Sequence, residues 1–290
     1  MSQAKTDLKP IDTPIYGYWQ ALYLSFFSKR LYVDVGKRWR GVCFFYLLLV
    51  VALLSIPLAY RVSVNFDKQF QEAIVQPLSQ LPPLYVQKGL ISIDKPVPYF
   101  IKNDKGQVVL IIDTSGVIKD FTPTYPELSI LITKDSIIYK MPAPNLLNMP
   151  NPPKNFSQPI VQRLEPSVNS YFEGTKFIAE PNVGRLKLVS QIMIYPIVTL
   201  LFFSIFIVMF PVLAFIGQVF SYVFFTFQIS YFQALRLLVV AATPMMLALF
   251  LYLYINIFFL YIGVPIILIL VIYYSFALFA LRAESRQIVV

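Results

Sequence analysis

The sequence predicts an α-helical multi-pass membrane protein that has four transmembrane helices and a small β-rich (α+β) extracytoplasmic insert. Three observations predict this class: long apolar runs fill residues 191–281, only 13% of all residues are charged, and cations gather beside the apolar runs. A hydrocarbon core about 30 Å thick requires about 20 apolar residues per helix. Buried helices of soluble proteins would be shorter and would keep a polar face at the helical period. We therefore interpret the apolar runs as membrane spans.

Four spans are expected from the apolar runs. The first is 41–60, and the other three are 192–216, 237–257 and 261–281, which form a three-helix membrane domain. Because every backbone polar group must be paired within lipid, each span is expected to be a helix. The inner loop 217–236 is rich in aromatic residues and is expected to lie at the interface or to re-enter the bilayer.

The distribution of charge predicts the orientation of the spans. The chain has 24 Lys and Arg residues against 15 Asp and Glu residues, a net charge of +9. Cations gather just before the first span, and the cytoplasmic flanks of spans are rich in Lys and Arg. Both termini, including the tail 282–290, are therefore expected in the cytoplasm, and residues 61–189 outside it. Because the cations lie beside the spans, we expect membrane lipids as partners and no nucleic acid.

Rare residue types exclude several kinds of catalytic and metal site. Histidine is absent, and Cys43 is the only cysteine. These two facts exclude His-based catalytic triads, the usual zinc ligand sets and any intramolecular disulfide. The sequence also has no Gly-rich phosphate loop and no nucleophile elbow. It predicts a protein that is not an enzyme and that uses no cofactor or metal.

An amino-terminal arm, residues 1–40, precedes the first span. Residues 15–40 carry aromatic and aliphatic side chains at helical spacing, with cations near the end that meets the membrane. Two interpretations are open: a helix that lies in the lipid headgroup layer, or an amphipathic helix that packs under the membrane domain. Arg236 is expected to anchor the inner end of the third span against carbonyls of the neighbouring inner loop, with support from Tyr231 one turn earlier. The cations expected to orient the chain and to contact lipid are Lys29, Arg30, Lys37, Arg38, Arg40 and Arg236.

The insert between the first two spans divides into two parts. Residues 61–140 are expected to form a helical stalk and a β-rich domain, and residues 141–190 a Pro-rich spacer and a return helix. Within the second part, a further helix is expected at 161–172. The predicted strands are 90–94, 98–101, 108–113, 128–133 and 136–140.

The string Leu110–Gly116 is the strongest candidate for catalysis in the insert, because it ends a buried-looking strand in an acidic turn. An aspartic protease would need glycine directly after Asp113 and Thr114, together with a second copy of the motif. An aspartyl phosphatase would need a second carboxylate at the same position to hold magnesium. That position is Ser115. We favour a strand end followed by an Asx-type turn in which Gly116 has a positive φ.

Several strings resemble the bacterial domain-of-unknown-function 1189 (DUF1189) family. They are Phe27–Gly41, Ile112–Gly116 and Ile229–Arg236 followed by Ala241–Pro244. The resemblance covers most of the chain and implies an integral inner-membrane protein with an outward insert between its first two spans, but no activity or ligand. The last string also resembles, over a short stretch, Yip1-type membrane proteins. The candidate functional motif consists of Asp113, Thr114, Gly116, Tyr231, Thr243 and Pro244.

Three functions remain open. The first is a non-enzymatic scaffold or assembly factor, whose outer domain and inner arm bind other envelope components or further copies of the chain. The second is a small-molecule or lipid transporter built from spans that are kinked at proline. An ion-coupled transporter is disfavoured, because no charged residue lies near the middle of a span. The third is a hydrolase that depends on Asp113.

Overall fold

The computed structural model describes residues 13–140, 159–255 and 261–287. These residues form two compact units. One contains the described residues up to Tyr60 together with those from Tyr195 onward, and the other is Arg61–Ile194. Most of the predicted Pro-rich spacer, the arm before residue 13 and the end of the third predicted span lie outside the described residues.

Most described residues are helical. The helices are α1 (Tyr18–Leu24), α2 (Lys29–Lys37), α3 (Phe44–Phe70), α4 (Gln76–Ser79), α5 (Gly174–Ala179), α6 (Pro181–Phe225), α7 (Tyr231–Ala241), α8 (Thr243–Ile255) and α9 (Gly263–Gln287), with a π-helical turn at Gln71–Val75 between α3 and α4.

Three helices, α3, α6 and α9, are long and apolar enough to cross a membrane. A fourth candidate is the pair α7 and α8, which meet at a bend of 42°. Helix α6 has 45 residues and is therefore about 68 Å long, more than twice the thickness of a hydrocarbon core. The predicted combination of several long apolar helices with separate β-sheets is therefore confirmed among the described residues, and membrane insertion stays a prediction.

The arm forms two short helices instead of the single helix predicted over 15–40. The chain leaves α1 at Ser25 and begins α2 after Ser28, whose hydroxyl accepts a hydrogen bond from the Leu31 N–H at 3.3 Å. A serine cap of this kind starts a new helix and so divides the apolar stripe. Helix α2 packs against α7 and α9, and its Tyr32 and Val35 are fully buried. For α2 this packing agrees with the second interpretation, and a location of the arm in the lipid headgroup layer stays a prediction.

The predicted inner loop 217–236 is almost entirely helical, and its position at the interface or within the bilayer stays a prediction. Residues 217–225 continue α6, and α7 begins at Tyr231. Helix α6 ends at Thr226, whose φ is 49° and whose N–H donates to the Tyr222 carbonyl at 3.1 Å, a common left-handed helix ending. The Ser221 hydroxyl also donates to the Phe227 carbonyl, at 2.7 Å. The turn between the two helices is therefore short and hydrogen-bonded.

Two β-sheets form the core of the second unit. One has the strand order β2-β1-β8 and the other β3-β4-β5-β6-β7, in which only β4 and β5 run parallel. Leu110 and Ile112 of β4 and Ile132 of β5 are buried where the two sheets pack together. The strands are β1 (Leu84–Gln87), β2 (Leu90–Ile93), β3 (Tyr99–Lys102), β4 (Val108–Asp113), β5 (Ile130–Thr133), β6 (Ser136–Tyr139), β7 (Ile160–Arg163) and β8 (Ser170–Phe172).

The five predicted strands are confirmed as β2 to β6, but three further strands were not predicted. The helix predicted at 161–172 is wrong, because this stretch contains β7 and β8. Each of these strands pairs with a strand far away in the chain, β7 with β6 and β8 with β1. Such pairing decides the conformation of short segments more strongly than the local sequence does.

The helical stalk predicted after the first span is confirmed. Helix α3 continues to Phe70 and is followed by the π-helical turn and α4. Pro77 lies in the first turn of α4, where proline is tolerated, and the chain leaves the helix before Pro82. Within this unit, the Lys187 ammonium of α6 lies 2.5 Å from the Asp67 carboxylate of α3, so the two helices are joined by an ion pair.

Candidate functional site

A buried carboxylate joins the start of the described chain to helix α2. The Asp34 side chain is fully buried and accepts hydrogen bonds from the N–H groups of Ile15 and Tyr16 at 3.0–3.1 Å. It also accepts from the Trp39 indole at 3.2 Å and from the Arg38 guanidinium at 3.3 Å. A buried carboxylate without such donors would be strongly destabilising. Asp34 therefore fixes residues 15–16 against the carboxyl-terminal end of α2.

Helix α2 approaches α7 and α9 closely at Gly36. The Gly36 carbonyl accepts hydrogen bonds from the Gln233 amide at 3.3 Å and from the Arg236 guanidinium at 3.5 Å. A Cβ atom at this position would lie 3.0 Å from both terminal carbons of Leu281 in α9. A larger side chain would push α2 away from α9, so the approach depends on glycine.

The break between α7 and α8 contacts helix α3. Thr243 begins α8, and Pro244 follows in the first turn, where its missing N–H removes no intrahelical hydrogen bond. The hydroxyl groups of Thr243 and Tyr46 lie 2.8 Å apart, and both side chains are buried. Thr243 and Pro244 therefore have a clear structural role: they start a new helix direction and fix it to α3.

Aromatic rings surround this contact. The ring centroids of Tyr18 and Trp39 lie 5.1 Å apart, and the Tyr46 ring lies 5.8 Å and 5.9 Å from those two rings. The Tyr32 hydroxyl donates to the Ser25 carbonyl at the end of α1. Edge-on and tilted pairs of this kind stabilise a packed cluster. The arm-docking site, as we define it, consists of Asp34, Gly36, Tyr46, Arg236 and Thr243.

Arg236 lies at the arm-docking site, but its contacts differ from the expected ones. Its guanidinium reaches the carbonyl of Gly36 in α2, whereas a carbonyl of the inner loop was expected. Its Nε atom is buried and has no hydrogen-bond partner among the described residues. Tyr231, expected to support Arg236, donates its hydroxyl to the Pro211 carbonyl of α6 at 3.1 Å. Tyr231 therefore links α7 to α6.

Ser230 and Gln233, at the start of α7, form a capping box. The Ser230 hydroxyl accepts from the Gln233 N–H at 3.3 Å, and the Gln233 side chain accepts from the Ser230 N–H at 3.0 Å. This reciprocal pair satisfies two N–H groups at the start of α7. Gln233 also reaches Gly36, so the same side chain caps α7 and holds α2.

The remaining predicted lipid-contact cations lie on or near α2. Lys37 forms an ion pair of 3.9 Å with Glu284 of α9, and Lys29 lies over the Phe279 ring with its Nζ atom 5.6 Å from the centroid. Arg30 and Arg40 are exposed. The structure thus brings Lys29 and Lys37 to α9 and leaves Arg40 on the surface.

A cavity of about 530 Å³ opens between α2, residues 15–16 and the end of α9. Its charged lining consists of Lys29, Arg30, Arg38 and Glu284, and its apolar lining includes Phe279. Three cations against one carboxylate make this cavity electropositive. A second cavity, of about 390 Å³, is lined by Gln218 and Gln228 near the turn that joins α6 and α7.

Asp113, in the second unit, ends β4 in the predicted turn. It is fully buried, and its carboxylate accepts hydrogen bonds from the Ser115 N–H at 2.9 Å, from the Ser115 hydroxyl and from the Ile118 N–H. Burial alone would raise its pKa, but hydrogen bonds from Ser115, Ile118 and Gly116 lower the pKa below the ordinary value of 3.8. Gly116 has a φ of 83°, so the Asx-type turn is confirmed.

The hydrogen-bond donors of the Asp113 carboxylate come from its own turn. Thr114 follows Asp113 and is only half-buried, and both oxygens of Asp113 are engaged by groups of its own turn. Among the described residues, no group of three or more His, Cys, Asp or Glu side chains is placed to hold a metal ion. Asp113 therefore has a structural explanation that requires no substrate.

Sequence reasoning missed Asp34, Gly36 and Tyr46. Asp34 had one local signal, Arg38 four residues later on the same helical face. Gly36 and Tyr46 had none, because their hydrogen-bond partners in α7 and α8 lie about 200 residues away in the chain. Contacts at such separations are set by tertiary packing, which one sequence does not display.

A family model described as "Protein of unknown function (DUF1189)" matches residues 19–278, nearly the whole chain. The chain belongs to the DUF1189 family. The matched stretch includes every residue of the arm-docking site and the Asp113 turn, so both belong to the DUF1189 region of the chain. No curated protein and no solved structure matches the chain. The DUF1189 match brings no activity, ligand or partner with it.

Proposed function

We propose that this DUF1189 protein is a non-enzymatic scaffold or assembly factor of the bacterial inner membrane. In the proposal, α3, α6, the pair α7 and α8, and α9 are four spans, both termini are cytoplasmic, and residues 61–189 lie outside the cytoplasm. The chain binds another envelope component through its β-rich unit. The charge asymmetry of the sequence supports the orientation, and one feature of the sheet supports the binding role.

That feature is the exposed edge strand β7. All four of its residues, Ile160 to Arg163, are exposed, and among the described residues β6 is its only neighbour in the sheet. Just after β7, the Leu164 N–H points towards β6 and donates to the carbonyl of Asp135, the residue before β6, at 2.9 Å. Because N–H groups alternate in direction along an antiparallel strand, those of Val161 and Arg163 point away from β6. An extended segment of another protein can pair with these groups by strand addition.

Two variants of Val161 test the proposal. Val161→Pro removes one outward-pointing N–H without removing a hydrogen bond to β6, because proline is tolerated on the free side of an edge strand. Val161→Thr keeps the N–H and the β-branched shape. We expect affinity purification of the full chain from detergent-solubilised membranes to recover a partner with wild type and with Val161→Thr, but not with Val161→Pro. Wild-type protein recovered alone, or equal recovery by all three, would contradict strand addition.

The bend between α7 and α8 favours a second candidate function, a small-molecule or lipid transporter. Broken helices with polar groups at the break frame the substrate sites of many transporters, and here the break carries Thr243 and Pro244. A transporter predicts solute uptake or lipid scrambling by the purified chain in liposomes, with loss of the flux in Pro244→Ala. The scaffold proposal predicts no flux above that of empty liposomes.

A further inference from the structure

We propose that the cavity between α2 and α9 binds the phosphate group of an anionic phospholipid. The proposal rests on the membrane placement proposed above but not on a partner for β7. It assigns a discrete lipid site to this cavity, whereas the sequence predicted only general contact between cations and lipid. The cavity has a volume of about 530 Å³, enough for a lipid headgroup.

The charge of the cavity walls is only partly compensated by protein carboxylates. Arg38 is paired with Asp34, and Glu284 is paired with Lys37. No carboxylate of the described residues forms an ion pair with Lys29 or Arg30, although both line the cavity. These two cations are therefore available to an anion that enters the cavity.

The position of Lys29 and Arg30 in α2 also favours an anion. They are the first two residues of the helix, and no acidic residue occurs in its first turn. The start of a helix carries a partial positive charge, which repels the two cations. An anion bound there is attracted both by the helix and by the cations. A phosphate group is well suited to this position because Arg binds its oxygens through two parallel N–H groups.

The apolar wall of the cavity indicates a lipid as the source of the phosphate. Phe279 and Ala280 belong to α9, one of the three long apolar helices, and both line the cavity beside the cations. Phe279 is 55% exposed even with Lys29 over its ring, so an acyl chain or a glycerol group can contact it. Basic pockets at the cytoplasmic ends of spans are established sites for anionic headgroups. A soluble phosphate would use the cations but would gain nothing from this wall.

Arg30→Gln and Arg40→Gln form a matched pair of variants for the test. Both replace an exposed Arg of the arm and remove one positive charge, but only Arg30 lines the cavity. The full chain is purified in a neutral detergent and titrated with phosphatidylglycerol, and bound lipid is counted by native mass spectrometry. We expect one tightly bound lipid in wild type and in Arg40→Gln. In Arg30→Gln the affinity should fall about tenfold, as expected for the loss of one charge-assisted hydrogen bond.

Other outcomes would overturn the proposal. If the two variants weakened phosphatidylglycerol binding equally, the lipid would be attracted by the overall charge of the arm and not by the cavity. Phosphatidylcholine that binds as tightly as phosphatidylglycerol would show that the anion is irrelevant. Inorganic phosphate that displaces the bound lipid at millimolar concentration, with the same dependence on Arg30, would show a soluble anion as the ligand. Val161→Pro should leave this lipid binding unchanged, because Val161 does not line the cavity, so failure of the scaffold proposal would be recognised separately.

Discussion

Two buried aspartates, one in each unit, use the same chemistry at very different distances in the sequence. Asp113 accepts hydrogen bonds from groups two to five residues away, within its own turn. Asp34 accepts from residues up to 19 positions away and so joins the start of the described chain to α2. The local carboxylate shapes one loop, whereas the long-range carboxylate holds an element in place. We therefore expect the loss of Asp34 to cost more stability than the loss of Asp113.

Replacement of Asp34 should give the largest effect. Asp34→Asn leaves several donors facing an amide that cannot accept from all of them, and each buried donor left without a partner costs about 1 to 3 kcal/mol. We expect a lower thermal unfolding temperature of the full chain in detergent. Maleimide labelling of Cys43, the only cysteine, which is buried in the folded chain, reports the unfolding.

Glu284→Gln is the matched control for Asp34→Asn. It removes a carboxylate of the same unit whose ion pair with Lys37 is long, at 3.9 Å, and partly exposed, so the expected loss is below about 1 kcal/mol. A loss in Asp34→Asn as small as that of Glu284→Gln would show that the long-range carboxylate does not organise the arm.

Replacement of Asp113 should give a smaller effect that depends on pH. Its folded-state pKa is lowered, so its contribution to stability is present above the ordinary pKa of 3.8 and is lost as pH falls through the folded-state value. Asp113→Asn should therefore cost about 1 to 3 kcal/mol at neutral pH, and the difference from wild type should shrink below about pH 4. Hydrogen exchange of β4 in the full chain, corrected for intrinsic rates, measures this difference.

Asp120→Asn controls for the general effect of losing an acidic residue in the same loop. Asp120 is exposed and accepts only from the neighbouring Phe121 N–H, at 2.7 Å, among the described residues. Its replacement should change exchange in β4 by less than about 0.5 kcal/mol. A pH-independent effect of Asp113→Asn would show that hydrogen bonds to the ionised form do not stabilise the turn.

Gly36→Val tests whether the close packing of α2 on α9 contributes as much to stability as the hydrogen bonds of Asp34. The new side chain must displace Leu281, and overpacking of this kind costs about 1 to 3 kcal/mol. Thermal unfolding in detergent measures the loss. Gly184→Ala is the control, because this helical glycine has open space around it, and alanine there should stabilise α6 by up to about 1 kcal/mol. Equal behaviour of the two variants would contradict close packing at Gly36.

The Tyr46–Thr243 contact should give the smallest effect. Hydrogen bonds between membrane helices contribute about 0.6 kcal/mol on average. A double-mutant cycle of Tyr46→Phe and Thr243→Val, measured by thermal unfolding, should give a coupling energy close to this value. Strictly additive effects would show that the two hydroxyl groups, 2.8 Å apart, do not stabilise each other.

The difference between the two aspartates also explains what the sequence could predict. The Asp113 turn was predictable, because Asp, Ser and Gly at these spacings have local turn preferences. The long apolar helices were predictable from their composition, and so were the five strands from β2 to β6. The arm-docking site was not, because the partners of Gly36 and Tyr46 are distant in sequence. For the same reason β7 and β8 were mistaken for a helix, since distant pairing formed these strands.

The proposed orientation of the chain, with residues 61–189 outside the cytoplasm and the arm inside it, is tested most directly by two single-cysteine variants. In a Cys43→Ser background, Lys95→Cys places a thiol on the exposed surface of the second unit, and Arg40→Cys places one on the exposed surface of the arm. The chain is produced in bacterial cells and treated with a membrane-impermeant maleimide. We predict that the cysteine at position 95 is labelled in intact spheroplasts and that the cysteine at position 40 is labelled only after lysis. Labelling at position 40 in intact spheroplasts, with position 95 protected, would contradict the orientation.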